Sequence, residues 1–259
     1  MSPSTFAPAP GAAPYSRMVG SQAALETRLL LRNGEQVLLT LVIPLVLLLL
    51  LAGTDIIDVS GGGSTSEQVP TALAGVLTVA VMSTAFTGLA IATGFERRYG
   101  VLRRLAVTPL PRSALLLGKA GAVLVVEAVQ VALLVGVAVL LGWDGVASWG
   151  AVGLFVVVGT AAFAGLGMLM AGTLRAEATL AAANLVYIVL LLAGGAVVPV
   201  DRYPEAVQPV LALLPSGALG EGLRTAVVEA GGVAWGPLGV LAVWAVVGTA
   251  LAARFFRWE

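Results

Sequence analysis

The residues able to do chemistry are few, and most of them lie in one stretch. Positions 95–119 read FERRYGVLRRLAVTPLPRSALLLGK and gather Glu96, Arg97, Arg98, Arg103, Arg104, Arg112 and Lys119. The pattern predicts a short charged helix over about 96–106. It is broken at Thr108-Pro109, because the residue before a proline is steered out of helical geometry. Leu102, Leu105 and Val107 stand among the arginines, where they are expected to project toward water or a partner protein. A rigid, basic, partly apolar knob suits docking; the plainer alternative is a positive anchor on the inner side of a membrane. The other notable group is Glu127, eight residues past Lys119 and so about 12 Å further along a helix. Gln130 shares its face. The chain has neither His nor Cys, which excludes disulfides, thiolate or imidazole metal sites, and Ser-His catalysis. The carboxylates are scattered, so no metal site is expected. Gly118-Lys119 lacks the upstream Gly and the following Ser/Thr of a phosphate loop, so ATP binding of that kind is not expected.

These groups must be positioned by apolar helices. Of the 259 residues, 59% are hydrophobic and 11% charged, against about 25% charged in soluble domains. That excess of apolar surface calls for lipid as solvent. Six apolar runs cover about 37–53, 71–95, 115–141, 151–172, 178–198 and 237–253, the first holding Pro44. They are continuous rather than alternating, which predicts helices and not a barrel. Placing both termini in the cytoplasm puts twelve of the fourteen basic residues inside, leaving only Arg202 and Arg224 outside, as the positive-inside rule requires. Trp143, Trp149 and Trp235 then fall at the outer interface and Trp258 at the inner one.

The flanking segments complete the expectation. Residues 1–20, rich in Pro, Ala and Ser, read as a disordered cytoplasmic tail without the apolar core of a signal peptide. Residues 21–36 read as an amphipathic helix at the membrane interface, or as an ordinary lead-in to the first span. The outer segment 199–236 is too apolar for a plain loop. Pro199, Pro204, Pro209 and Pro215 divide it into two helices too short to span, which we read as re-entrant or interfacial helices dipping from the outside.

With these positions in view, the sequence resembles the membrane subunits of bacterial ABC-2 type exporters, among them drug-resistance permeases of the daunorubicin-exporter kind. Glu96, Arg97, Gly100, Leu102, Leu105, Thr108, Pro109, Leu110, Gly118 and Lys119 match the family's pattern after the second span. Arg98 stands where the family has a second Glu. Pro199, Pro204, Leu214-Pro215 and Leu223-Arg224 match the outer segment, and Pro44 and the Arg254–Trp258 tail also agree. The likeness covers about 21–259. It implies an all-α integral membrane domain of six spans in the bacterial cell membrane, paired with a second copy or a sister permease. It also implies two ATPase subunits, holding ATP and Mg2+, that dock on a coupling helix made of Glu96, Arg97, Gly100, Leu102, Arg103, Leu105, Thr108 and Pro109. The chain would carry no cofactor, catalyse nothing itself, bind no nucleic acid, and move a hydrophobic or amphiphilic compound outward.

Other classes are weaker. A membrane enzyme acting on lipids would need a carboxylate cluster or a base for Ser216. A channel or secondary transporter would carry several intramembrane charges or inverted repeats. Glu127, Gln130, Asn184 and Tyr187 are expected either to line a substrate path, with Glu127 selecting cations, or to tie helices together through buried hydrogen bonds. Thr160, Asn184 and Tyr187 are the candidate partners of Glu127. Gly165, Gly167, Ala171, Gly194 and Gly195 are expected to allow close helix packing.

Overall fold

The computed structural model describes residues 13–53, 65–194 and 203–256, and helices are the only regular elements among them. In chain order these are α1 (Tyr15–Arg32), α2 (Gly34–Gly53), α3 (Thr65–Val81), a π-helical turn (Met82–Gly88), α4 (Leu89–Arg98), α5 (Val101–Ala106) and α6 (Arg112–Leu140). Then come α7 (Trp149–Thr173), α8 (Ala176–Ala193), α9 (Gln208–Ala212), α10 (Pro215–Val227) and α11 (Trp235–Phe255). Five helices are long and apolar enough to cross a membrane: the continuous Gln68–Arg98, α6, α7, α8 and α11. A sixth is counted if α1 and α2 are taken together, α2 turning from α1 by 89°.

The elements differ from the sequence expectation at their ends. The N-terminal helix starts at Tyr15, inside the expected tail. The second span runs to Arg98, past its expected end at 95, and the coupling helix shrinks from 96–106 to Val101–Ala106. The cause is Gly100, whose φ of 73° reverses the chain after Tyr99. Only glycine adopts that left-handed geometry without cost, so the charged triplet Glu96-Arg97-Arg98 belongs to the end of the span.

The core is built around α7, which packs on α11, α10, α4 and the π-helical turn. Small residues permit this. A Cβ on Gly165 would lie 2.7 Å from the Thr249 backbone nitrogen on α11, and one on Gly167 would lie 2.8 Å from the Phe86 carbonyl. Gly194 likewise has no room for a side chain beside Ser216. Ala171 is fully buried, and Gly195 lies outside the described residues. Of the tryptophans expected at the outer interface, Trp149 and Trp235 are exposed, but Trp143 is buried and sits against Trp149. Trp258 lies outside the described residues.

The segment expected on the outer side holds, among its described residues, two short helices, α9 and α10. Pro215 opens α10 at its first turn, where a missing N–H costs nothing. Leu219, Leu223, Ala226 and Val227 are buried, against α3, α7 and α11. The Trp244 indole donates to the Leu213 carbonyl at 2.9 Å, Tyr203 donates to the Leu192 carbonyl, and Arg224 pairs with Glu221. Pro204 begins the turn into α9, its carbonyl accepting from the Val207 amide at 2.9 Å. Pro199 lies outside the described residues.

Candidate functional site

Three consecutive charged residues at the end of α4 reach three different helices. Glu96 points to α6, its Oε2 lying 2.6 Å from Lys119 Nζ. Arg97 turns to the end of α7 and donates to the carbonyls of Ala171 at 2.9 Å and Leu174 at 2.7 Å. Those carbonyls belong to a helix C-terminus, where the backbone has no partner of its own and a cation is favoured. Arg98 pairs with Glu177 in the first turn of α8. The position where the family resemblance predicts Glu therefore has its own partner here, between the packed helices α4 and α8. The root of α5 is thus tied to α6, α7 and α8 by one triplet.

Beyond Gly100, α5 does not present all its apolar residues outward. Leu102 is 0% exposed, and Leu105 packs partly against the same core. This corrects the expectation that both project from the loop. Their i, i+3 spacing places them on one face, and that face closes on the protein. What remains outside is Val101, Arg103, Arg104 and Ala106 on α5, then Val107, Thr108 and Pro109, with Val101 41% and Val107 87% exposed. Thr108 caps the helix, its amide and hydroxyl both donating to the Leu105 carbonyl, at 3.0 and 2.6 Å. The knob is therefore basic, with exposed apolar side chains at its base (Val101) and its tip (Val107).

Lys119 is a residue whose role the sequence did not reveal. It is 2% exposed, and its ammonium lies 2.8 Å from Glu26 Oε1 on α1 as well as 2.6 Å from Glu96 on α4. Glu26 also accepts from Gln22 Nε2 at 2.8 Å. The only advance signal was that a lysine near an apolar run needs a partner if it is buried. No spacing rule connects Glu26 with a residue so distant in the chain.

The polar residues of the spans separate into two groups. Glu127 and Gln130 are each 1% exposed, enclosed by the chain's own helices. Thr160 on α7 donates to Glu127 Oε2, so one of its three expected partners is found. Gln130 has a specific task. Pro44 lacks the N–H that would bond the carbonyl of Thr40, four residues earlier. Gln130 Nε2 donates to that carbonyl at 2.6 Å, re-satisfying a backbone group that lipid would leave unpaired. Asn184, by contrast, is exposed on α8 and donates to its own Leu180 carbonyl at 2.9 Å. Tyr187 is half-buried on the same helix. The structure does not gather the four into one site. Gln130→Leu is expected to cost about 2 kcal/mol, the loss of a buried hydrogen bond. In a Pro44→Ala background the cost should be smaller, since the new N–H can serve Thr40. A double-mutant cycle of thermal melts in detergent checks this.

Among the described residues no group of three or more metal-ligating side chains gathers. With this geometry in hand, comparison with known families identifies the chain. A family model described as ABC-2 family transporter protein matches residues 52–254, and the chain belongs to that family. It is a multi-pass membrane protein and a component of membrane transport. No curated protein matches the sequence.

Proposed function

We propose that this chain is the permease subunit of an exporter, driven by two separate ATPase subunits that dock on α5. One observation carries the reading: α5 closes one face on the protein and turns a basic, partly apolar face outward, while its root is pinned to three helices. Such a construction serves to pass force rather than to stabilise a fold, because the pinned residues would hold without the exposed ones. The ATPases would bring the ATP and Mg2+. A second copy or a sister permease would complete the path in the cell membrane, with both termini in the cytoplasm and α9–α10 dipping from outside. The cargo is a hydrophobic or amphiphilic compound.

The test is a gentle detergent pull-down of the tagged chain from its native cells, with ATP hydrolysis measured on the eluate. A co-purifying ATPase, lost on Arg103→Glu/Arg104→Glu, supports docking at α5. A stable chain without any ATPase would move the reading to a channel or membrane enzyme.

The enclosure of Glu127 bears on cargo choice. We assign it to tying α6 and α7 rather than to reading charge. Glu127→Gln keeps a group able to hydrogen-bond Thr160, so export of cationic and neutral compounds should change alike. A selective loss of cations in a resistance assay would return Glu127 to the substrate path.

A further inference from the structure

Glu26 is used by nothing in the reading so far, and Lys119 only through its pair with Glu96, yet both sit where α1 and α6 cross closely. Helix α1 lies along α6 and presents Gln22, Ala23 and Glu26 to it. The approach is so close that a Cβ on Gly118 would lie 2.6 Å from Gln22 Cγ and 3.3 Å from the Ala23 nitrogen. At the next residue Lys119 bridges Glu26 on α1 and Glu96 on α4. Glu96 is four residues before Gly100, where α5 begins to turn away. One ammonium, shielded from water, therefore holds three helices at the root of the knob. The outward side of α1 keeps Leu25, Leu29 and Leu31 exposed, so these leucines do not tie it to α6.

We propose that Lys119 is a positioning residue that straps α1 to the root of α5, so that α1 moves with α4 and α6 when the docked ATPase closes. This rests on the coupling reading above. Its physical basis is that a buried ion pair is costly to break from one side, since the remaining charge is left without a partner. A displacement of α4 therefore drags α1 rather than sliding past it. Glu26→Ala is the clean probe of α1, because it leaves Lys119 and Glu96 as a one-to-one pair. Lys119→Met is the harsher one.

The chain has no cysteine, which allows a covalent replacement of the strap. A Cβ built on Gly121 lies 3.5 Å from Ala23 Cβ, within the range of about 3.5–4.5 Å that a disulfide spans. Ala23→Cys/Gly121→Cys in the full chain should close a disulfide between α1 and α6 under mild oxidant. Adding Glu26→Ala or Lys119→Met should slow closure about tenfold, within the range of ordinary coupling energies. Equal rates would overturn the strap. In the complex with its ATPase, Glu26→Ala should lose most of the hydrolysis that the permease confers over the isolated ATPase, and the oxidised disulfide should restore it. Restoration that disappears on reduction supports coupling through α1. Unchanged hydrolysis in Glu26→Ala, or no restoration with the disulfide formed, overturns it. If no ATPase accompanies the chain at all, it is the coupling reading that fails. The closure rates still decide whether Lys119 holds α1.

Discussion

Gly100→Trp is expected to abolish permease-stimulated ATP hydrolysis while the chain still inserts and melts nearly as before. The two halves of this result have separate causes. Within the chain, nothing lies within 4 Å of a Cβ at this position, so bulk is tolerated. The remaining internal cost is the φ of 73°, which for a non-glycine residue is about 1–2 kcal/mol. A tryptophan there stands at the base of the exposed knob, where an ATPase must approach. Gly100→Ala carries the same backbone cost without the bulk, and should keep most of the stimulation. Hydrolysis measured on the purified complex, beside thermal melts of the three chains, checks the pair. Full stimulation in Gly100→Trp would count against docking at α5.

Gly165→Leu should prevent α11 from seating, and Gly165→Ala should cost about 3 kcal/mol, the upper end of ordinary overpacking. A Cβ at 165 would meet the Thr249 nitrogen at 2.7 Å and the Gly248 carbonyl carbon at 2.8 Å. Both are backbone atoms of a facing helix, so no rotamer change relieves the clash and the helices must part. Gly248→Ala meets its nearest neighbour, the Leu166 nitrogen, at 3.2 Å and should be milder. Gly150 has nothing within 4 Å, and Gly150→Ala should be silent. Melting temperatures in one detergent rank the set. A Gly165→Ala chain as stable as Gly150→Ala would mean that α7 and α11 do not meet as described.

Much of the architecture was legible in residue order because lipid rewards continuous apolar runs whatever they later touch. The runs near 71–95, 115–141, 151–172 and 237–253, with the described part of 178–198, fall in helices long enough to span, and prolines mark the starts of α9 and α10. The ends were less legible. The expected coupling helix began at Glu96 because a charge run after an apolar one looks like a new element. Only the turn at Gly100 showed that these charges finish the span and fasten it. Leu102 illustrates the same limit. An apolar residue among arginines reads as exposed until a helix is seen to close over it.

What the sequence determined by itself was the solvent, the helical class, the family pattern and the absence of a phosphate loop. Each follows from composition or from neighbours within a few positions. The tertiary structure alone decided the partners. Arg97 caps α7, Arg98 meets Glu177, Gln130 repairs the backbone that Pro44 left open, and Lys119 holds Glu26 and Glu96 together. Such pairings depend on which helices cross and how closely their backbones approach. That is settled by packing over the whole chain, and by glycines such as Gly118 that leave room for it.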